Sequence, residues 1–288
     1  VAALSQPSIP DWEPPAEVEE ARRSWEAHAA RWLNTDLPEI GALHEDVPLG
    51  TTLTADIAVP KGTPPFPVVL YLHGGGWAFG SARSVRKVGM TFAAHGRLAV
   101  LLNYRLAPEH PFPAALDDVA TAIQWLGKHA SAYGGETDKV AIGGDSSGAN
   151  LALAAAIRGP DDLRRRMSAL LLLYGVYDLA GALDRAHHHP GLVLQVRNYI
   201  GTRPMSDPLV SPLFARFPPL PPCLLLEGGA DAFVSGEAAA LAKALAAAGI
   251  DHELRIVPDM PHAFLQRFDL AGCEAGWRAM IDFLNVSG

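Results

Sequence analysis

Residues 143–150, Gly-Gly-Asp-Ser-Ser-Gly-Ala-Asn, stand between two apolar runs of different kind. Before them, Lys139-Val140-Ala141-Ile142 reads as a buried strand; after them, Leu151 to Ile157 reads as a helix. Inside the turn, Gly144-Asp145-Ser146-Ser147-Gly148 is a G-x-S-x-G, a pattern that sets serine at the apex of a tight strand-to-helix turn with strained backbone angles. Glycine on both flanks is a steric demand, because a Cβ two residues either side of the apex would collide with the neighbouring strand or helix. The turn lifts the Ser146 hydroxyl clear of the backbone and seats it at a helix N-terminus, where partial positive charge favours a developing oxyanion. A plain strand-to-helix connection with a serine N-cap would carry the same five residues, so a catalytic reading depends on partners elsewhere.

The surrounding chain supplies the setting. Pro67 to Leu72, Leu98 to Leu102, Lys139 to Ile142, Ala169 to Leu173 and Pro222 to Leu226 are short and apolar throughout, as strands covered by helices on both faces are. Thr52 to Val59 alternates instead, which predicts a half-exposed strand near a sheet edge. Helical stretches at Ala114 to Ala130, Ser147 to Ile157, Glu237 to Ala248 and Gly272 to Leu284 separate the apolar runs. That alternation predicts an α/β fold with a mostly parallel sheet. Two segments break the rhythm: residues 1–43, with three tryptophans among charged residues and prolines, and residues 178–205, with a histidine run and a short apolar patch. Together they suggest helices forming a lid over the sheet, with the core running over 44–177 and 206–288.

In an open α/β sheet, chemistry sits in loops at the carboxyl ends of strands. His73-Gly74-Gly75-Gly76-Trp77 follows the strand ending at Leu72. Three consecutive glycines cost folding entropy, so they mark backbone that must approach something closely. The N–H groups of Gly75, Gly76 and Ser147 are candidate oxyanion donors, each worth about 3 kcal/mol in such chemistry. No phosphate-binding glycine pattern fits residues 73–80. A serine also needs a base, and the base a carboxylate. Asp231 follows the strand ending at Leu226, and His262 follows Glu253 to Val257, both in loops that point the same way as the serine loop. Glu227 and Asp259 are rival carboxylates, although Asp259 is so close to His262 in sequence that bonding it would take a tight local turn.

HGGGW at 73, NYRLAPEHPFPAALDD from Asn103, GDSSGANLAL at 144, SDPLVSPLFA from Ser206 and MPHAF at 260 together resemble the hormone-sensitive-lipase-like carboxylesterases. The resemblance runs from about residue 65 to the end. It implies an α/β-hydrolase core of eight strands, a helical cap from the N-terminal segment and the 178–205 insertion, and ester hydrolysis without a cofactor. By the same resemblance Ser146 is the nucleophile, His262 the base, Asp231 the acid, and Gly75, Gly76 and Ser147 the oxyanion donors. The chain departs from the family pattern where Ser147 stands for alanine, where Ala149 stands for glycine, and after the acid, where Ala232-Phe233-Val234-Ser235-Gly236-Glu237 replaces the usual P-L-x-D-E. Only the N–H of residue 147 is used, so its side chain is free to vary.

Composition narrows the partners. A formal net charge of -8 excludes the basic surface that nucleic-acid binding requires. Cys223 and Cys273 are in no metal-like spacing and read as buried free thiols, and His187-His188-His189, cut off by Pro190, reads as a solvated loop, so no metal is expected. Asp117-Asp118 and Asp161-Asp162 read as solvated helix-end charges. The N-terminus lacks a signal-peptide pattern, and no apolar run reaches the ~18 residues of a membrane span, which leads to the expectation of a soluble, cytoplasmic protein. The expected substrate is a small ester of short to medium acyl chain, with Trp77 and Phe79 walling its pocket. Lactone or amide cleavage would use the same groups, and a non-catalytic ligand-binding protein is the reading from another class. The last helix and strand are candidate surfaces for a homodimer.

Overall fold

A computed structural model describes residues 17–185 and 190–287; Trp12 and the 187–189 histidine run lie outside them. Chain order begins with α1 (Val18–His28), which runs on into a short π-helical turn, Ala29–Leu33, and then β1 (Ala42–Pro48), β2 (Thr54–Val59) and β3 (Phe66–Leu72). There follow α2 (Arg86–Ala94), β4 (Leu98–Asn103), α3 (Ala114–His129), β5 (Gly135–Asp145), α4 (Ser147–Arg158), α5 (Asp161–Arg164) and β6 (Met167–Leu173). The chain closes with α6 (Leu179–Arg185), α7 (Pro190–Ile200), β7 (Cys223–Gly228), α8 (Glu237–Ala247), β8 (His252–Val257) and α9 (Ala271–Ser287).

The eight strands form one sheet in the order β1-β2-β4-β3-β5-β6-β7-β8. β2 runs antiparallel to both its neighbours, and every pairing from β4 to β8 is parallel. This is the α/β-hydrolase arrangement, and the five apolar runs are its five inner parallel strands. Apart from Pro67, Lys139 and Pro222 at their leading ends, their side chains are buried on both faces, and α3, α4, α8 and α9 begin and end within a few residues of the expected positions. None of the described helices is long and apolar enough to cross a membrane.

Two expectations need correction, and one strand had no sequence signal. Residues 42–48 form that strand, β1, at the start of the core. β1 is the outermost strand, mostly exposed, bulged between His44 and Val47, and has Asp46 at φ 51°, so its charged sequence carries no strand signal. With β1 outside it, β2 is buried from Ala55 to Ala58, not half exposed. The polar residue in its alternation, Asp56, is buried but paired, accepting from the Asp46 N–H at 3.0 Å and from Arg86. Asp118 is likewise no solvated charge. It is buried and accepts from the backbone N–H and the guanidinium of Arg105, whereas Asp117 makes an exposed pair with Arg158.

Candidate active site

The elbow comes first. Ser146 has φ 54° and ψ -118°, a left-handed backbone that non-glycine residues avoid, at the junction of β5 and α4. Its N–H donates to Leu173 O on β6, while Ala149 and Asn150 N–H donate to Ser146 O and start the helix. Both flanking glycines face one obstacle. A Cβ on Gly144 would lie 2.3 Å from Leu72 O, and a Cβ on Gly148 2.0 Å from the same atom. The elbow is thus wedged against the carboxyl end of β3, and glycine is what lets α4 approach it. One turn on, Asn150 Nδ2 donates to Val176 O and Val210 O, fastening two points of the segment between β6 and β7 to α4.

The three sequence-predicted groups meet at the carboxyl ends of β5, β7 and β8. His262 Nε2 lies 2.9 Å from Ser146 Oγ, and its Nδ1 lies 2.6 Å from Asp231 Oδ2. The second oxygen, Asp231 Oδ1, accepts from the N–H of Phe233 and Val234, so the carboxylate is aimed by its own turn. Both rival acids are elsewhere. Glu227 is turned away to accept from Gly236 and Ala238 N–H, and Asp259 is exposed. Burial alone would lower the pKa of His262, but the charge and hydrogen bond of Asp231, followed by the charges of Asp145 and Glu227, outweigh it and hold the imidazole above its ordinary value. The rings of Tyr174 and Phe233 meet it edge-on at 5.3 Å.

Beside the serine, the glycine loop forms a tight turn. Gly75, Gly76 and Trp77 have φ of 118°, 57° and 60°, and Gly75 O accepts from the N–H of Ala78 and Phe79. Among the described residues no acceptor takes the N–H of Gly75, Gly76 or Ser147. Asp145, next to the serine and buried, braces this arrangement. It accepts from Gly74 N–H and Tyr71 hydroxyl through Oδ1, and through Oδ2 from Gln266 Nε2, four residues past His262. His73 stacks on Tyr104 at 4.3 Å, and burial pushes its pKa down to about 4, so it is neutral and structural.

Trp77 and Phe79 are in the loop but packed beneath helices. Trp77 is 1% exposed and stacks on Tyr199 of α7 at 4.4 Å, while Phe79 packs with Ala78 against Ala21 and Trp25 of α1. Both side chains, expected from the sequence as pocket walls, make contacts that seat these two helices. Gln195, also on α7 and 2% exposed, has its amide oxygen 2.5 Å from where a Cβ on Gly76 would stand. Asp145, Gln195, Tyr199 and Phe233 were not singled out from the sequence. Asp145 was within reach, being inside the serine motif, and Phe233 stands in the stretch that replaces the family's P-L-x-D-E, but Gln195 and Tyr199 lie in no motif. Among the described residues no group of three or more His, Cys, Asp or Glu is placed to hold a metal ion.

Known proteins share this frame. The family described by the α/β hydrolase fold matches residues 69–266. Carboxylesterase NlhH of Mycobacterium tuberculosis is 32% identical over 254 residues, spanning 80% of this chain and 77% of that protein. Carboxylic ester hydrolase LipN of the same species is 33% identical over 79% of this chain and 65% of its own. Among solved structures, the thermostable carboxylesterase EstE1 from a metagenomic library superposes with a TM-score of 0.84 at 27% identity, covering 94% of this chain and 98% of that one. An esterase from the bacterial hormone-sensitive lipase family does so with a TM-score of 0.79 at 29% identity, covering 95% and 93%. With its sheet order, its serine elbow and these relatives in agreement, the chain belongs to the α/β hydrolase fold family, and within it to the hormone-sensitive-lipase-like carboxylesterases.

Proposed function

We propose that the protein is a serine carboxylesterase acting on short- to medium-chain esters through an acyl-enzyme. The carrying observation is the relay from Ser146 Oγ through His262 to Asp231, at 2.9 and 2.6 Å. Ser146 attacks the ester carbonyl while Nε2 of His262 takes its proton. Asp231, accepting from the protonated Nδ1, fixes the tautomer and stabilises the imidazolium that forms. The oxyanion of the tetrahedral intermediate accepts from Gly75, Gly76 and Ser147 N–H. Collapse expels the alcohol, which leaves with the proton from His262; water, deprotonated by the same imidazole, then releases the acid. Every group the cycle needs is a side chain or backbone of this chain, and no cofactor enters it.

The helix α1 with α6 and α7 serves as the cap. The contacts of α7 with Gly76 and Trp77 support a limit on acyl length, since they crowd the space beside the oxyanion donors. The intact imidazole contact to Ser146 speaks against a purely ligand-binding role. A series of p-nitrophenyl esters from acetate to palmitate tests the reading. Turnover is expected to peak at short to medium chains; a peak at palmitate, or no turnover from folded protein, would refute it.

A further inference from the structure

The oxyanion turn has a mechanical problem. A three-glycine run is loose, Trp77 holds a left-handed φ of 60°, and the two N–H groups that would meet the oxyanion must keep one direction. Its internal bonds, from Ala78 and Phe79 N–H to Gly75 O, close only the near side. On the far side Trp77 O accepts from the N–H of Ala107, in a different loop. A further tie between the two loops comes from Arg22, on α1.

Arg22 Nε donates to Ala78 O at 2.8 Å and Nη2 to Ala107 O at 3.1 Å. Its remaining N–H groups go to Glu109, in a two-pronged contact at 2.9 and 2.7 Å, and to Glu19 on its own helix at 2.8 Å. A guanidinium has five N–H donors, and all five are used. Glu109 and Glu19 are more than half exposed, so the ion pairs alone would stabilise little. The two backbone carbonyls are different: they belong to the turn bearing the oxyanion donors and to the strut behind it.

We propose that Arg22 is a positioning residue for the oxyanion hole. By joining Ala78 to Ala107 it closes a ring around Trp77 and holds the N–H groups of Gly75 and Gly76 in their working direction. The N-terminal helix is thereby part of the catalytic frame as well as a cover. A lysine would not substitute, because a single ammonium lacks the planar fork that reaches both carbonyls and a carboxylate at once. This inference rests on the proposed esterase mechanism.

The test compares Arg22→Lys and Arg22→Met with Arg23→Met, an exposed neighbour on the same helix. The readouts are steady-state hydrolysis of p-nitrophenyl butyrate, inhibition by an alkyl trifluoromethyl ketone, which forms a tetrahedral oxyanion adduct, and thermal melting. Both Arg22 variants are expected to lose about tenfold or more in kcat, with KM within about twofold. The inhibition constant should rise by the factor lost in kcat/KM, and Arg23→Met should match the parent. Where the methionine variant loosens α1, Arg22→Lys decides, since lysine keeps the charge and the helix propensity. Parent kcat in Arg22→Lys, a rise in KM at constant kcat, or a lowered melting temperature with no change in inhibition would each overturn the proposal. Ser146→Ala measured alongside separates the two levels. Turnover retained there sinks the mechanism itself, whereas its loss beside fully active Arg22 variants sinks only the role of Arg22.

Discussion

Gly148→Ala adds one methyl group where α4 meets the end of β3. Gly148 has a helical backbone, so by intrinsic propensity alone alanine should stabilise the helix by about 1 kcal/mol. Space dictates the opposite. The new Cβ would lie 2.0 Å from Leu72 O and 2.8 Å from His73 O, whereas ordinary contact begins at 3.4 Å, so α4 and β3 must part by about 1.4 Å. Both obstacles are backbone and cannot rotate away. Because Ser146 sits two residues upstream on the same turn, its Oγ moves with the helix and leaves its 2.9 Å contact with His262. A displacement near 1 Å in a reacting group costs about 10²-fold in rate. Overpacking of this kind costs about 1–3 kcal/mol in stability. Hydrolysis of p-nitrophenyl butyrate and calorimetric melting of the variant are therefore expected to show kcat lower by about 10²-fold and a depressed Tm. A variant with parental kcat and a raised Tm would mean that helix propensity outweighs the contact, and the wedged-elbow argument would be wrong.

Further expectations follow from the charges. Acylation needs neutral His262, so kcat/KM should rise with pH through a midpoint above the ordinary imidazole value of 6.5, as the Asp231 charge dictates. Asp231→Asn should cut the plateau by about 10⁴-fold and move the remaining acidic limb to lower pH; an unmoved limb would contradict the assignment. The raised His262 pKa also means that its contribution to stability is present below the ordinary imidazole value and lost as pH rises through the folded value, so a Tm–pH profile should flatten there in His262→Gln. Asp145→Asn removes a second charge that raises His262 and weakens the brace between Gly74 and Gln266, so the acidic limb should again shift down, with a kcat loss of about tenfold. Burial pushes both thiols, Cys223 and Cys273, up to about 12. A disulfide reagent such as DTNB should find neither in the native protein and both after denaturation.

The inner sheet was readable because its physics is local. A strand covered on both faces must be apolar at every position, and a helix lying on it must repeat its apolar residues, so β3 to β7 and α3, α4, α8 and α9 announce themselves. What was not readable obeys tertiary rules. β1 is polar because it is an outer strand, and β2 alternates because Asp56 is paired inside rather than solvated. The helix α2 has a glycine at its centre, which lowers helix propensity, and the reason lies across the interface: a Cβ on Gly89 would lie 2.6 Å from Leu101 Cδ1 on β4. Ser146, His262 and the glycine turn are each marked by a short motif at a strand end, whereas Asp231, with two rival carboxylates and no family motif after it, is distinguished from them by its 2.6 Å contact with His262. Arg22 and Gln195 have no such signature, since each matters only through backbone it meets from a remote part of the chain.

The most direct test of the account is turnover of p-nitrophenyl butyrate by Ser146→Ala, purified and shown by its melting curve to be folded. The elbow tolerates the loss of Oγ, because the structural contacts of Ser146 are made by its backbone N–H and C=O. Hydrolysis falling to the uncatalysed background, in a protein that melts as the parent does, is the predicted result. Turnover retained by that folded variant would contradict the assignment of Ser146 as nucleophile, and with it the mechanism built on its contact with His262.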